Sequence, residues 1–122
     1  MAKHNDIGVR GEEEAEKYLV ERDYEVLEQN WRSGKAEIDI IARKEGVLIF
    51  IEVKTRTNTI FGQPEDFVDR KKVKFLTSAA GDYMREIKHE WEVRFDIISV
   101  VIGDKKHTII KHIEDAFFIG LQ

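Results

Sequence analysis

The sequence predicts a mixed α/β fold, a β-sheet flanked by helices, with elements in the order α-β-β-β-α-β-β. Two strand-like runs lie on either side of the dipeptide Glu45-Gly46, and a nearly continuous apolar run covers residues 93–102. Between them, apolar residues recur at helical spacing, at Val73, Leu76, Ala80, Tyr83 and Ile87. This spacing is typical of an amphipathic helix, and apolar runs without alternation are typical of central strands covered on both faces.

The chain begins with a predicted helix and a predicted strand. The helix runs from near Asp6, a suitable N-cap residue, to Arg22, with its small and apolar residues at helical spacing. Residues 24–31 alternate in the manner of a strand, and the dipeptide Ser33-Gly34 then interrupts the pattern.

The two runs around Glu45-Gly46, residues 36–44 and 47–55, predict a β-hairpin with a two-residue loop. In that register Lys44 pairs with Val47. Further along, the facing pairs are Ala42 with Ile49, Ile40 with Ile51, and Ile38 with Val53. This face is wholly apolar and is predicted to lie in the core, because a slip of one residue would turn it outward.

The second half of the chain predicts one more helix and two more strands. In order, the elements are a loop at 61–64, a helix from Glu65 or Asp69 to Lys88, strands at 93–102 and 107–113 joined by a turn at 103–106, and a short helix at 114–119. The apolar stripe of the long helix, from Val73 to Ile87, is predicted to be core.

Length and composition set broad limits on function. A chain of 122 residues with 42% hydrophobic and 36% charged residues predicts one globular domain over residues 1–122. The lack of cysteine excludes disulfides, thiol chemistry and thiolate zinc sites. No apolar run exceeds five residues, so we expect no membrane span. The first residues contain no apolar export segment, which favours a cytoplasmic location.

The net charge of −4 is distributed unevenly. Residues 31–74 have a net charge of +3, whereas residues 1–30 have −5 and residues 75–122 have −2. A solvated helix face explains the basic cluster at 70–74 most simply. Contact with nucleic-acid phosphates is the functional alternative, and its candidate residues are Arg56, Arg70 and Lys72.

Two acidic residues on the second face of the hairpin carry the main functional signal. Asp39 is predicted to lie opposite Glu52, beside Ile41 and Phe50. Like charges about 4.5–5.5 Å apart at Cβ are destabilising, and partial burial adds to the cost. Mg²⁺ or Mn²⁺ would offset this repulsion, because such hard cations prefer oxygen ligands and use one or two carboxylates. Lys54, on the same face, reaches the same space.

A salt-bridged, solvent-exposed face explains the same residues without a metal ion. In that interpretation Lys54 neutralises Glu52 or Glu37, and Asp39 points into water. Charged residues are usually exposed, so the pattern alone leaves both interpretations open.

Motifs along most of the chain resemble one protein family. In order they are Gly11-Glu12-x-x-Ala15-x-x-Tyr18-Leu19, Asn30-Trp31-Arg32, Glu37-Ile38-Asp39-Ile40-Ile41-Ala42, Phe50-Ile51-Glu52-Val53-Lys54-Thr55-Arg56, Phe61-Gly62-x-Pro64-x-x-x-Val68-x-x-x-Lys72 and Arg94-Phe95-Asp96. Over about residues 5–102 the sequence is similar to the YraN-like family of small bacterial PD-(D/E)xK proteins, which is related to archaeal Holliday junction resolvases. One departure is Ala36, where the family usually has glycine, and alanine is tolerated there if φ is negative.

The resemblance implies a restriction-endonuclease-like fold and a metal-dependent nuclease site. Carried over by position, the catalytic residues are Asp39, Glu52 and Lys54, and the ligands of Mg²⁺ or Mn²⁺ are Glu12, Asp39, Glu52 and the Val53 carbonyl. Lys54 is expected to position the attacking water or to stabilise charge in the transition state.

Two functions of different classes follow. The first is a Mg²⁺- or Mn²⁺-dependent endonuclease acting on DNA, with branched, junction or single-stranded DNA as candidate substrates. A resolvase of this kind would act as a homodimer, because it cuts two strands symmetrically. The second is a nucleic-acid-binding or assembly module that keeps the fold without catalysis.

Titratable residues outside the hairpin are predicted to have structural or surface positions. All four histidines are predicted to lie on the surface. Asp96, within its apolar strand, is predicted to be a hydrogen-bonded structural acid in preference to a support for the site.

Overall fold

The helices and strands follow one another in the predicted order. They are α1 (Lys3–Glu21), β1 (Glu25–Ser33), β2 (Ala36–Lys44), β3 (Val47–Arg56), α2 (Arg70–Ile87), β4 (Val93–Ile102) and β5 (Thr108–Ile113). The computed structural model describes residues 3–57, 70–90, 92–103 and 107–116, without the side chains of 3–6 and 70–72. The strands form one sheet in the spatial order β1-β2-β3-β4-β5, flanked by the two helices. The predicted mixed α/β class is therefore confirmed.

Strand directions divide the sheet into an antiparallel and a parallel part. β1, β2 and β3 are successive antiparallel neighbours, β4 runs parallel to β3, and β5 runs antiparallel to β4. A parallel pair requires a crossover connection, and α2 lies in the chain between β3 and β4. The crossover brings α2 to one face of the sheet, while α1 covers the other.

The two faces of the sheet carry separate apolar clusters, one under each helix. Under α1, Ala15 and Leu19 are fully buried against strand residues that include Ile40 and Ile51. Under α2, the buried helix residues are Val73, Leu76, Ala79, Ala80 and Tyr83. Ile87 is 38% exposed because α2 ends at this residue, so its prediction as core is wrong. Neither described helix is long and apolar enough to cross a membrane.

The β2–β3 hairpin has the predicted loop and, over most of its length, the predicted register. Glu45 and Gly46 both have positive φ, 52° and 82°, as a two-residue type I′ turn requires. Lys44 pairs with Val47 and Ile40 pairs with Ile51, as predicted. The hairpin therefore sets the relative positions of the two strands that carry the acidic residues.

The predicted register fails beyond Ile40, where the described β2–β3 pairing ends. Ile38 packs on the α2 side of the sheet, whereas Ile40 packs on the α1 side, so the prediction that they share a face is wrong. In the neighbouring strand β1, Asn30 has a φ of 52° and lies between the partners of Ile38 and Ile40. A left-handed residue breaks the two-residue alternation of a strand. The predicted pairing of Asp39 with Glu52 is likewise absent from the ladder, and β2 separates from β3 there.

Predictions near the ends of elements are less accurate. The predicted loop at 61–64 and the helical residues predicted at 65–69 lie outside the described residues. Residues 114–116 form a turn, so the predicted helix does not begin there, and 117–119 are again outside the description. The turn is held against β4, because the backbone N–H groups of Asp115 and Ala116 donate hydrogen bonds to the Asp96 carboxylate and the Phe95 carbonyl.

A buried polar network joins α1 to β4 and β5. Asp96 is fully buried, and its carboxylate accepts hydrogen bonds from the Arg94 guanidinium (2.9 Å) and from the Asp115 N–H (3.1 Å). It also lies 2.6 Å from His112 Nε2, and His112 Nδ1 lies 3.2 Å from the Tyr18 hydroxyl of α1. The structural role predicted for Asp96 fits these contacts. The surface position predicted for His112 is wrong, since its side chain is only 7% exposed.

Candidate metal and phosphate site

A cleft of about 490 Å³ opens where β2 separates from β3, below the N-terminal half of α1. Six residues singled out from the sequence line it, namely Glu12, Asp39, Glu52, Val53, Lys54 and Arg56. They come from α1, β2 and β3, and the chain folds so that three separate motifs meet in one place. We call this space the cleft.

Asp39 lies at the point where β2 leaves β3. Its side chain is half-buried, and Oδ2 accepts a hydrogen bond of 2.8 Å from the backbone N–H of Val53. The carboxylate thereby takes a donor that a continuous ladder would give to a backbone carbonyl. Both backbone groups of one strand residue face the same neighbouring strand. We therefore infer that the Val53 carbonyl also faces the gap beside Asp39.

Glu52 and Lys54 alternate with Val53 along β3 and form an ion pair. Glu52 is 5% exposed, the Lys54 side chain is 14% exposed, and Nζ lies 3.4 Å from Oε1. The ion pair expected for a salt-bridged face is thus present, yet Asp39 does not simply point into water. Glu37 has its own partner in Arg32, at 2.9 Å.

Gly11 allows α1 to approach β3 closely enough to place Glu12 over the cleft. A Cβ atom at Gly11 would lie only 1.9 Å from Oγ1 of Thr55 and 2.7 Å from its Cγ2. Any side chain here would force helix and strand apart. Glu12, the next residue, is half-buried and lines the cleft.

Glu12 is an acid held in an unfavourable electrostatic environment. Burial is the main reason that its pKa lies above the ordinary value for glutamate. A hydrogen bond with the Asn30 side chain lowers this pKa, while the negative charges of Glu37 and Glu52 raise it further. The cleft therefore gathers negative charge at some energetic cost.

Asn30 is a residue of the site that the sequence analysis did not single out as functional. Its side chain hydrogen-bonds the Glu12 carboxylate, and its backbone, with a positive φ, lies opposite the stretch of β2 between Ile38 and Ile40. The sequence contained one signal of an irregular strand at this position. Asparagine is unfavourable in the middle of a strand, and it tolerates positive φ better than most residues.

The three predicted phosphate contacts have different positions. Arg56 is exposed at the end of β3, lines the cleft, and donates a hydrogen bond of 2.8 Å to the Thr55 carbonyl. Arg70 and Lys72 lie in the first turn of α2, and their side chains are outside the description. Of the three, Arg56 is the residue whose described side chain lies at the cleft.

The donor set of the cleft fits a hard divalent cation held partly by water. Among the side chains that the structure describes, no three from His, Cys, Asp and Glu are gathered as a ready-made metal site. Mg²⁺ needs only one or two carboxylates, because it keeps several waters and also takes substrate phosphate. Asp39 and Glu52 supply the two carboxylates, and the Val53 carbonyl supplies a further oxygen.

Comparisons with known proteins place the chain in a family without giving it an activity. A family model described as "Uncharacterised protein family UPF0102" matches residues 11–100. A UPF0102 protein of Christiangramia forsetii is 50% identical over 118 residues, covering 97% of this chain and 98% of its own length. UPF0102 proteins of Phocaeicola vulgatus and Bacteroides thetaiotaomicron are each 48% identical over 118 residues, covering 97% of both chains. The chain therefore belongs to the UPF0102 family, the YraN-like family that its motifs predict.

Proposed function

We propose that this protein is a Mg²⁺- or Mn²⁺-dependent endonuclease that hydrolyses phosphodiester bonds in DNA, including branched or junction DNA. One observation carries the proposal: two carboxylates, Asp39 and Glu52, and the Lys54 ammonium line one cleft. The order of helices and strands also agrees with the restriction-endonuclease-like fold that the motifs imply.

The acidic residues hold the cation in this proposal. Asp39 and Glu52 supply carboxylate oxygens, and Val53 supplies its carbonyl oxygen from the same gap. Glu12 acts through a water molecule, because it belongs to α1 and no three acidic side chains among the described residues are gathered as a metal site. When bound, Mg²⁺ or Mn²⁺ supplies Lewis-acid activation of water and of the phosphoryl group.

Lys54 performs the electrostatic part of the reaction. Its ammonium is largely buried beside Glu52, so it is held in position and screened from bulk water. In the transition state it donates hydrogen bonds to the phosphoryl oxygens, on which negative charge accumulates. Arg56, at the exposed rim, contacts a neighbouring phosphate, and Arg70 and Lys72 extend this contact along the backbone.

Cleavage assays test the proposal. Purified protein is incubated with Mg²⁺ or Mn²⁺ and labelled single-stranded, duplex, flapped and four-way-junction DNA. We expect cleavage of at least one substrate, and a loss of about 100-fold or more in Asp39→Asn and Glu52→Gln, as for removal of other catalytic electrostatic groups. Glu45→Gln, an exposed acid in the turn of the same hairpin, is the matched control and should cleave normally. No cleavage of any substrate, or normal cleavage by both site variants, would refute the activity.

The alternative is a nucleic-acid-binding or assembly module that keeps the fold without catalysis. The Glu52–Lys54 ion pair favours it, because one of the two central carboxylates already has a cation beside it. Thermal unfolding with Mn²⁺ separates the two functions, since a ligand that binds the folded state raises the melting temperature. If Mn²⁺ raises the melting temperature of the wild type no more than that of Asp39→Asn, the module is the better description.

A further inference from the structure

A second cavity adjoins the cleft on the other side of the two central carboxylates. It has a volume of about 220 Å³ and shares Asp39 and Glu52 with the cleft. Its other walls come from the β1–β2 turn at Lys35 and from α2 at Phe75 and Leu76. The two carboxylates thus stand between two spaces, one below α1 and one beside α2. We call the second space the side pocket.

Phe75 is an aromatic residue that core packing does not explain. It is 42% exposed, whereas Val73 and Leu76, close to it in the sequence but on the buried side of the helix, are 6% and 5% exposed. It is not one of the residues that form or cover the α2-side apolar cluster in the described part of the chain. A phenylalanine that is 42% exposed keeps part of its aromatic surface available for a ligand.

The rim of the side pocket carries a cation that suits a nucleotide. Lys35 is exposed there and offers an ammonium group to a phosphate. Glu37, the third acid of the pocket, pairs with the exposed Arg32 at 2.9 Å. A flat aromatic ring with a neighbouring cation is the combination with which proteins hold unpaired bases.

From these observations we propose that the side pocket takes an unpaired nucleobase next to the scissile phosphate, stacked on Phe75. The inference rests on the proposed function, since the shared carboxylates are the groups that would act on the phosphate. Because the side pocket shares Asp39 and Glu52 with the cleft, it adjoins the position of a phosphate held at these carboxylates, and one sugar would join that phosphate to a base in the pocket. Bases within a continuous duplex are already stacked on each other and unavailable. The substrate class is therefore DNA with an unpaired nucleotide at the cut, such as a flap, gap or branch.

A binding experiment tests the pocket independently of catalysis. The probes are two duplexes of equal length, one fully paired and one with a single unpaired 2-aminopurine, whose fluorescence falls when it stacks. Binding is measured with Ca²⁺, a hard cation that takes the same oxygen ligands, and gels verify that the DNA stays intact. Wild type is expected to quench the unpaired probe and to bind it more tightly than the paired duplex.

Variants of α2 give the decisive comparison. Phe75→Ala should raise the Kd for the unpaired probe about 10-fold to 100-fold and abolish quenching, with little change for the paired duplex. Phe75→Trp should retain both properties, and Ile87→Ala, an exposed apolar residue at the far end of α2, should behave as wild type. Equal effects of Phe75→Ala on both probes, or no effect on either, would overturn the pocket. Absence of a preference for the unpaired probe in the wild type, with normal cleavage of other substrates, would also overturn the pocket. Absence of cleavage with an intact Phe75 effect would instead refute only the nuclease activity.

Discussion

The two ends of α1 cover acids in contrasting environments, a single buried acid at one end and the group of acids that lines the cleft at the other. Near its C-terminal end, Asp96 is surrounded by donors, and its pKa lies below the ordinary value although burial alone would raise it. Hydrogen bonds from His112 and Arg94 and from the Asp115 N–H cause this lowering. Near its N-terminal end, burial and the charges of Glu37 and Glu52 give Glu12 a raised pKa.

The contrast separates an acid that stabilises the fold from acids that the fold must hold in place. Removing one partner of a buried, hydrogen-bonded ion pair strongly destabilises the folded protein. Acids gathered in a cleft repel each other, and such arrangements are typical of sites that bind a cation or carry out chemistry. Stability measurements on matched variants should therefore distinguish the Asp96 network from the cleft.

The largest effect is expected at Asp96. Asp96→Asn keeps the shape but removes the buried anion of Arg94, which is 17% exposed and keeps the exposed Glu114 as a partner. We expect a loss of about 3–5 kcal/mol in the free energy of unfolding. Urea denaturation at pH 7 measures it. Asp115→Asn is the control, because that exposed residue reaches Asp96 only through its backbone N–H. A loss below about 1 kcal/mol in Asp96→Asn would contradict the role of the network.

The next largest effect is expected at Gly11. Gly11→Ala would bring Cβ to 1.9 Å from Thr55 Oγ1, so α1 and β3 must shift, at about 1–3 kcal/mol. Gly8→Ala in the same helix meets nothing within 4 Å and should be neutral or up to about 1 kcal/mol more stable. Urea denaturation compares the pair. Equal stabilities of the two variants would show that the close approach does not hold α1 over the cleft.

The pH dependence of the Asp96 network gives a smaller effect. A carboxyl group with a lowered pKa stabilises the folded state above its unfolded pKa of about 3.9 and loses this contribution as the pH falls through the folded pKa. The difference in the free energy of unfolding between wild type and Asp96→Asn should have its largest value at pH 7. Below about pH 4 it should shrink by at most about 1.4 kcal/mol per pH unit. Urea midpoints at pH 7, 5, 4 and 3 measure this, and a constant difference would contradict it.

The smallest effect on stability is expected in the cleft. Asp39→Asn should remain within about 1 kcal/mol of wild type, because the amide oxygen still accepts the Val53 N–H and one negative charge is removed from a group of acids. The same urea measurements at pH 7 apply. A loss comparable to that of Asp96→Asn would show that Asp39 has a structural role like that of Asp96.

The hairpin shows how far local sequence determines the fold. The pairing of Ile40 with Ile51 could be predicted because a two-residue turn fixes the register and the alternation fixes the faces. The position of Ile38 could not, since the change of face between Ile38 and Ile40 lies opposite a left-handed residue, Asn30, of a different strand. A pattern read along β2 alone contains no sign of it.

The site shows the same division. Asp39, Glu52 and Lys54 were recognisable because charged residues interrupt apolar strands. The contribution of Asn30 to Glu12 arises only when α1 docks on the sheet, and a local pattern does not encode docking. His112 was predicted to lie on the surface because the spacing of the histidines gives no metal-binding pair, whereas its contact with Asp96 arises only when β5 pairs with β4.

The parallel pairing of β3 with β4 has a consequence for when the cleft comes into existence. Residues 52–56 of β3 are paired with β4 over their whole length, while β2 has already left them. This pairing joins two strands that are separated by the longest connection in the sheet. Closing that connection costs the most chain entropy, so we expect the pairing to form late in folding. The hairpin alone would carry Asp39 without a fixed Lys54 or Glu12. A chain still emerging or partly folded is therefore expected to be inert, and the proposed nuclease activity would require the completed fold.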